Sequence, residues 1–260
     1  MNYIVFDLEF NQKYNNPDNS EGFTQTSSDN KSLTFEIIQI GAVKLNENFE
    51  ELSTFNALVK PVVHKTLHPY VERMTKIDIN KANASLEFPE IYSQFLEFIK
   101  GEKNILCVWG SVDIKELLKN MKFHNIKTDD FPEKYIDVQL YTSKLLKFRK
   151  GTRAGLQNSL ELLDIEHSDG FHNAFMDAYY TSLIFKKVYT NKFHPADCLA
   201  LQGTPARKKT TNRLDSASLI SQFEKMYNRK LTDEETKMII IAYTMGYTRQ
   251  FQTNKPENRK

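Results

Sequence analysis

Two carboxylates near the start of the chain have the spacing of a metal site. Asp7 and Glu9 end an apolar run that has the composition of a buried strand, and strand residues two apart point to the same side. Two carboxylates held side by side repel each other, and a divalent cation that prefers oxygen ligands, Mg²⁺ or Mn²⁺, removes that repulsion. The pattern predicts a metal site at the end of a central strand. The alternative is a surface strand whose two polar residues face solvent.

Two further acids and a histidine lie in comparable settings. Asp113 follows the predicted strand 105–109 and falls in the first turn of a helix, where the macrodipole favours a carboxylate, so that helix capping is the alternative. Asp177 lies near the start of a long amphipathic helix, five residues after His172. A histidine in such a turn is usually an exposed polar residue, whereas an aspartate flanked by Met and Ala is harder to explain by exposure. An open α/β sheet gathers its ligands at the ends of its strands, where these groups are predicted to lie.

The motifs, taken in order, resemble those of the DEDDh 3′→5′ exonuclease family. The resemblance rests on FDLE at residues 6–9, WGSVD at 109–113 and HNAFMD at 172–177. In addition, EIIQIGA at 36–42 is similar to the second strand of the family, and residues 173–179 are similar to its final helix. The chain looks most similar to the KapD/Eri-type subgroup. The resemblance covers roughly residues 1–190, and three separated motifs carry it.

This resemblance implies an RNase H-like α/β fold, with a mixed sheet of about five strands flanked by helices. It implies a metal-dependent exonuclease that hydrolyses single-stranded nucleic acid from the 3′ end to nucleoside 5′-monophosphates, with RNA preferred over DNA. Two divalent cations, Mg²⁺ or Mn²⁺, would be bound by Asp7, Glu9, Asp113 and Asp177. His172 would take the proton from the attacking water, a role suited to an imidazole near neutral pH.

Four other residues are candidates for binding the substrate. Leu8 and Phe10 flank the two acids and either pack on the terminal base or belong to the ordinary core. Met74 and Thr75, in the connector after the third strand, resemble the segment of the family that contacts the last nucleotides.

The remaining pattern predicts the elements that must position these groups. A strand at 35–45 and another at 49–60 form a hairpin, a helix spans 88–99, and the last long helix runs to about residue 189. Residues 11–34 are predicted to be a polar loop insertion between the first two strands. His64 and His68 are interpreted as loop residues rather than metal ligands, and Asp137 as an N-cap.

Composition divides the 260-residue chain into two parts. Residues 203–260 hold 12 Lys and Arg against 6 Asp and Glu, which leaves 23 basic and 27 acidic residues in the rest. The predicted domains are an exonuclease domain at 1–192 and a basic helical C-terminal extension at 203–260. The extension could grip a polyanion, dock a partner or buttress the core. Two unpaired cysteines and the absence of a signal-peptide or membrane-span pattern predict a cytoplasmic protein without membrane contact.

The sequence is also compatible with two functions of other classes. One is a nucleic-acid-binding or regulatory module that kept the fold and lost turnover, although such a module has no need of the complete acidic set. The other is an interaction protein that works through its basic helical end.

Overall fold

The computed structural model describes residues 1–13, 33–101, 103–149, 151–202 and 216–247, and for residues 244–247 it describes the backbone alone. The chain divides into two compact units, Met1–Thr204 and Pro205–Lys260. Most of the predicted insertion (residues 14–32), the start of the C-terminal extension (residues 203–215) and residues 248–260 lie outside the described ranges. None of the helices within those ranges is both long and apolar enough to cross a membrane.

The first unit is built on one mixed sheet. Its strands are β1 Asn2–Gln12, β2 Phe35–Leu45, β3 Glu51–Leu58, β4 Asn104–Val108, β5 Lys134–Asp137 and β6 Ala196–Asp197. Their order across the sheet is β3-β2-β1-β4-β5-β6. Strand β1 pairs antiparallel with β2 and parallel with β4, which pairs parallel with β5. Consequently β1, β4 and β5 end at one edge of the sheet.

Helices cover both faces of this sheet. They are α1 Pro69–Thr75, α2 Ile79–Asn83, α3 Phe88–Ile99, α4 Val112–Phe123, α5 Val138–Leu145, α6 Leu156–Leu162 and α7 Ala174–Val188, followed by the 3₁₀ helix Leu199–Leu201. Ile4 and Phe6 of β1 pack into one core with Phe95 of α3, and Val5 packs into another with Phe185 of α7. Because its apolar side chains are buried on both faces, β1 is the central strand that its sequence predicts.

The sheet extends further than the sequence predicts at two places. Asn11 and Gln12 continue β1 and pair with Glu36 and Phe35, so the strand reaches two residues into the predicted loop insertion. The short strand Ala196–Asp197 pairs with β5, which adds a sixth strand after residue 192, where the exonuclease domain was expected to end. Both extensions have polar residues, which the apolar strand pattern does not detect.

The second unit contains helices α8 Ser216–Tyr227 and α9 Asp233–Tyr247 within the described residues. Thr232 and Glu235 form a capping box: the Glu235 N–H donates to the Thr232 hydroxyl over 3.2 Å, and the Thr232 N–H donates to the Glu235 carboxylate over 2.9 Å. Arg229 adds a two-bond contact to the same carboxylate. The helices predicted for the C-terminal extension are therefore present.

Candidate active site

Three carboxylates meet where β1 passes the start of α7. One oxygen from each of Asp7, Glu9 and Asp177 can be chosen so that all three lie within 4.8 Å of one another. Asp7 and Glu9 point to the same side of β1 because they are two residues apart in a strand. Asp177 comes from the first turn of α7, which packs across β1 and β2. The structure thus brings together three of the four acids that the sequence singles out.

The fourth acid, Asp113, approaches this group from α4. It lies in the first turn of that helix, and only 7% of its surface is exposed. Its charge raises the pKa of both Asp7 and Glu9, which places it in the same electrostatic environment although it is outside the 4.8 Å group. The N-cap position of α4 belongs to Ser111, so Asp113 is not the N-cap residue of that helix.

Crowding and burial make ionisation of these carboxyl groups unfavourable. Burial and then the charges of Asp177 and Asp113 raise the pKa of Glu9 to about 8. Burial raises the pKa of Asp113 to about 7, with backbone hydrogen bonds opposing the shift. For Asp7, burial and the three neighbouring acids raise the pKa well above its ordinary value. Burial raises the pKa of Asp177 to about 6, while a hydrogen bond from the His172 backbone and the electrostatic interaction with His172 oppose this rise.

A bound divalent cation fits this donor set. Carboxylate oxygens are the ligands that Mg²⁺ and Mn²⁺ prefer, and a cation would relieve the mutual repulsion that raises these pKa values. Moreover, Oδ1 of Asp177 is buried and has no hydrogen-bond partner among the described residues, which is unfavourable unless another ligand satisfies it. The other oxygen, Oδ2, accepts from the His172 backbone over 3.2 Å.

The start of α7 is held against β2 by a buried polar contact and by a glycine. The Gln39 side chain is 3% exposed, and its Oε1 accepts from the Ala174 N–H over 3.2 Å. A Cβ atom at Gly41 would lie only 2.1 Å from the Phe175 nitrogen. Asn173 caps the helix by accepting from the next backbone N–H groups. These contacts fix where Asp177 enters the site.

His172 stands immediately before this helix and is exposed to solvent. Its backbone has a φ of 64°, an uncommon value for a residue other than glycine, and its N–H donates to Asp177. This hydrogen bond fixes the backbone of His172 next to Asp177, and so it places the imidazole beside the acidic cluster. His172 also borders two cavities, of about 140 Å³ and about 430 Å³.

The smaller cavity contains most of the predicted substrate-binding residues. It is lined by Glu9, Phe10, Tyr70, Val71, Met74, Thr75 and His172. Leu8 is elsewhere: its side chain is 4% exposed and packs in the core under α3, which is the alternative that the sequence left open. The Leu8 backbone instead contributes to the acidic cluster, because hydrogen bonding by its backbone lowers the pKa of Asp7 and of Asp113. Thr75 is also mostly buried, and its hydroxyl donates to the Val71 carbonyl over 2.9 Å.

Sequence reasoning missed Tyr70 and Val71 as cavity residues. Both lie one helical turn before Met74 and Thr75, so that helical spacing through the connector would have indicated them. Tyr70 is 53% exposed, and the Arg73 guanidinium carbon lies 5.7 Å from the centre of its ring.

Buried polar side chains at the paired ends of β1 and β2 hold α1 next to the cluster. Asn11 is fully buried, donates to the carbonyls of His64 and Thr66 over 2.8 and 2.9 Å, and accepts from the His68 N–H over 3.0 Å. The buried Glu36 carboxylate accepts three backbone N–H groups of residues 62–64 over 2.6 to 2.8 Å. The connector is thereby attached to β1 and β2.

The residues that the sequence assigned to ordinary structural roles take those roles. His68 caps α1, and His64 contacts the Leu33 carbonyl over 3.0 Å. Asp137 accepts from the Leu140 N–H over 2.8 Å as the N-cap of α5. Asp137 also forms an ion pair with Arg153 over 3.1 Å.

Residues 4–185 match the RNase_T family model, which is described as exonuclease. The chain belongs to the RNase T family of DEDDh 3′→5′ exonucleases. The probable 3′-5′ exonuclease KapD of Bacillus subtilis (strain 168) is 26% identical to it over 157 residues, 60% of this chain and 75% of that protein. The acidic cluster that this family uses to bind divalent metals is present at Asp7, Glu9 and Asp177.

Solved structures of lower identity share the fold. The nuclease domain of 3′hExo, a DEDDh family member bound to rAMP, has a TM-score of 0.59 at 19% identity and covers 74% of this chain and 97% of that one. Escherichia coli exonuclease I in complex with a dT13 oligonucleotide has a TM-score of 0.54 at 16% identity, over 73% of this chain and 41% of that one. The predicted RNase H-like fold is confirmed.

Proposed function

We propose that this protein removes nucleoside 5′-monophosphates from the 3′ end of single-stranded nucleic acid, with RNA preferred over DNA, using two Mg²⁺ or Mn²⁺ ions. The observation that carries the proposal is the convergence of Asp7, Glu9 and Asp177 oxygens within 4.8 Å, with Asp113 beside them. Family membership supplies the reaction class.

In this mechanism Asp7, Glu9, Asp113 and Asp177 would hold the cations through their carboxylate oxygens. Two bound divalent ions supply charge neutralisation at the attacking and leaving oxygens and make water a better nucleophile near neutral pH. The protein contributes the fixed arrangement of its oxygens. Gln39 and Gly41 contribute indirectly, because they fix the start of the helix that carries Asp177.

His172 accepts the proton of the attacking water. Its exposed ring lies beside the cluster, and its backbone is tied to Asp177, so the ring can reach water at the site and return the proton to solvent. No other histidine lines either of the two cavities at the site, within the part of the chain that is described.

The cavity beside Glu9 receives the terminal nucleotide. Phe10 and Met74 offer apolar surface to a base, while Glu9 and His172 lie at the side where the scissile phosphate must be. The preference for RNA is supported by the KapD/Eri-type motifs and by the ribonucleotide complex of 3′hExo. The dT13 complex of exonuclease I keeps DNA as the competing substrate for the test.

The experiment follows the shortening of a 5′-labelled oligonucleotide with a free 3′ hydroxyl, as matched RNA and DNA, in Mn²⁺ and then in EDTA. The wild-type protein should release mononucleotides stepwise only with metal, and Asp7→Asn should lower kcat by about 1,000-fold, because the cations carry several kcal/mol of the catalysis. Asp78→Asn is the matched control, because this exposed N-cap of α2 accepts a hydrogen bond that asparagine also accepts. Hydrolysis that persists in EDTA, or an oligonucleotide that is bound but stays intact, would contradict the proposal.

The two parts of the chain are proposed to differ in role. Residues 1–192 form the exonuclease domain with its polar insertion at 11–34, and residues 203–260 form a basic helical extension. We place the protein in the cytoplasm, where Cys107 and Cys198, both buried free thiols, would stay reduced.

A further inference from the structure

The loop between α5 and α6 is strongly basic. Residues 144–153, which are the last two residues of α5 and most of the loop after it, hold five Lys and Arg and no acidic residue. We call this segment the basic loop. Lys144, Lys147, Arg149 and Arg153 are exposed, and Lys150 lies outside the described residues. The mechanism proposed above uses none of these cations.

Hydrogen bonds close the basic loop at its base. The Ser143 hydroxyl accepts from the Ala154 N–H over 2.9 Å and donates to the Gln139 carbonyl over 2.6 Å. The Gln139 amide in turn donates to the Ala154 carbonyl over 2.9 Å. Since Ser143 and Ala154 flank the loop, its two ends are joined, and its cations project from an anchored base.

The C-terminal end of the basic loop reaches the edge of the sheet where the acids lie. Arg153 forms its ion pair with Asp137, the last residue of β5, and Asp137 is opposite Val108, the last residue of the neighbouring β4. Asp113 follows five residues after Val108. Arg153 is therefore held at the strand edge from which the helix with Asp113 begins.

The larger cavity is lined by residues that follow the basic loop in the chain and by two catalytic residues. Gly155, two residues after Arg153, lines this cavity of about 430 Å³ together with His172 and Asp177. Gln157, Asn158 and Glu161 of α6 line the same cavity, and the Gln157 amide donates to the Glu161 carboxylate over 3.3 Å. A nucleic-acid substrate whose 3′ end lies at the acidic cluster can thus extend through this cavity toward the basic loop.

We propose that the basic loop binds the phosphates of the substrate upstream of its 3′ end, an inference that rests on the proposed exonuclease function. The acidic cluster repels every phosphate that its bound cations do not neutralise, so a polyanion needs cationic partners along its path. Arg153 presents a planar guanidinium whose Nη1 faces Asp137, a geometry suited to contacting an oxyanion with its remaining donors. Contacts of this kind recognise the backbone of RNA and DNA alike.

The test compares Lys147→Gln/Arg149→Gln with Lys100→Gln/Lys103→Gln, which removes two exposed cations at the opposite edge, where β4 begins. KM is measured for an oligonucleotide of about 20 nucleotides and for a dinucleotide, over a range of salt concentrations. The loop variant should raise KM for the long substrate about tenfold and lower the salt dependence, since each neutralised phosphate contributes about 0.7 to the slope on single strands. The increase in KM should be smaller for the dinucleotide than for the long oligonucleotide, and the control variant should have the KM values of the wild type.

Equal KM values and salt slopes for the loop variant and the control would overturn the inference. An equally large loss on the dinucleotide would also overturn it, because the loop would then act on the site itself. If the wild-type protein hydrolyses neither substrate, the proposed function fails, and fluorescence anisotropy of the labelled oligonucleotide still decides about the loop. Weaker, less salt-dependent binding by the loop variant alone would support it, and unchanged binding would refute it.

Discussion

Gly41→Ala tests how the site is assembled without touching a catalytic residue. A Cβ atom there would lie 2.1 Å from the Phe175 nitrogen and 2.2 Å from the Ala174 carbonyl carbon, whereas ordinary contacts begin near 3.4 Å. The first turn of α7 would have to retreat by about 1.3 Å. Because the opposing atoms are backbone, no rotamer change relieves the contact. Asp177 and His172 lie on or next to that turn and would move with it.

The displacement should affect activity more than stability. A misplacement of about 1 Å at a catalytic site can cost about 100-fold in rate, and overpacking costs about 1–3 kcal/mol. In a domain of about 200 residues, that loss lowers Tm by about 2–12 °C. We therefore expect a folded Gly41→Ala protein whose kcat on an oligonucleotide with Mn²⁺ is about 100-fold lower.

Ala42→Val is the matched control. Ala42 is fully buried on the other face of the same strand, in the core that contains Phe6 and Phe95, so added methyl groups strain that core without reaching α7. It should lower Tm comparably and keep kcat. If Gly41→Ala keeps kcat within about threefold of wild type, the geometric reasoning is refuted. Addition of Phe175→Ala should not rescue the variant, since the contact is with backbone atoms.

Three further predictions concern the same groups. In EDTA the protein should be less stable at pH 8 than at pH 5.5, as measured by Tm scans at both pH values. The folded-state pKa values of Glu9 and Asp177 are raised to about 8 and about 6, so the folded protein binds more protons than the unfolded chain between these pH values. Its free energy of unfolding therefore falls as pH rises. Phe10→Ala should raise KM about tenfold with little change in kcat, because base stacking on an aromatic ring contributes about 1–3 kcal/mol; steady-state kinetics measure it. Gln39→Leu should destabilise the protein by about 1–3 kcal/mol in urea unfolding, because the buried Ala174 N–H loses its acceptor.

Controls separate these effects from general damage. Mn²⁺ at saturating concentration should raise Tm more at pH 8 than at pH 5.5. Equal increases in Tm at the two pH values would contradict the coupling between protonation of the acidic cluster and stability. Phe10→Leu should retain more of the binding than Phe10→Ala, and equal KM values would exclude apolar contact with the base. Gln202→Leu, at an exposed position, should change stability by no more than about 0.5 kcal/mol, and a similar loss there would refute the role of Gln39.

Local rules predicted the acids of β1 and left Asp113 undecided. Asp7 and Glu9 share a side because of strand geometry alone, which needs no knowledge of distant residues. Asp113 lies in the first turn of a helix, and the same sequence pattern describes a helix cap and a buried ligand. The deciding fact is that β4 lies beside β1 in the sheet, a pairing between residues about a hundred positions apart.

The residues that align α7 and α1 with the cluster were beyond sequence reasoning. Asn11 was assigned to a solvated loop because it opens a polar run, yet it is fully buried among backbone groups of residues 64–68. Gln39 and Gly41 belong to a motif that resembles the family's second strand, but the contact between Gln39 and Ala174 joins positions 135 residues apart. A polar side chain in a sequence does not reveal whether its partner is water or a distant backbone group.

In the absence of cations the acidic cluster opposes folding, because its carboxyl groups are buried and repel one another. The free energy from packing of the surrounding core must exceed this cost. Ile4, Val5 and Phe6 are fully buried, and each such side chain contributes about 1.5–3 kcal/mol. The strand is thus held in place by apolar packing on both faces, and the carboxylates are brought together before a cation binds. Binding free energy is then available for affinity rather than for gathering the ligands.

This arrangement predicts that Asp7→Asn has opposite effects on activity and on stability. Asp7 is raised in pKa by burial and by Asp113, Asp177 and Glu9, so its ionised form is the most crowded charge of the cluster. An amide removes that repulsion, and in EDTA at pH 8 the variant should have a higher Tm than the wild type. With Mn²⁺ the order should reverse, because the wild type gains ligand binding that the variant lacks. A variant that is less stable than wild type in EDTA would show that Asp7 stabilises the fold, and that the carboxylates are not in mutual repulsion.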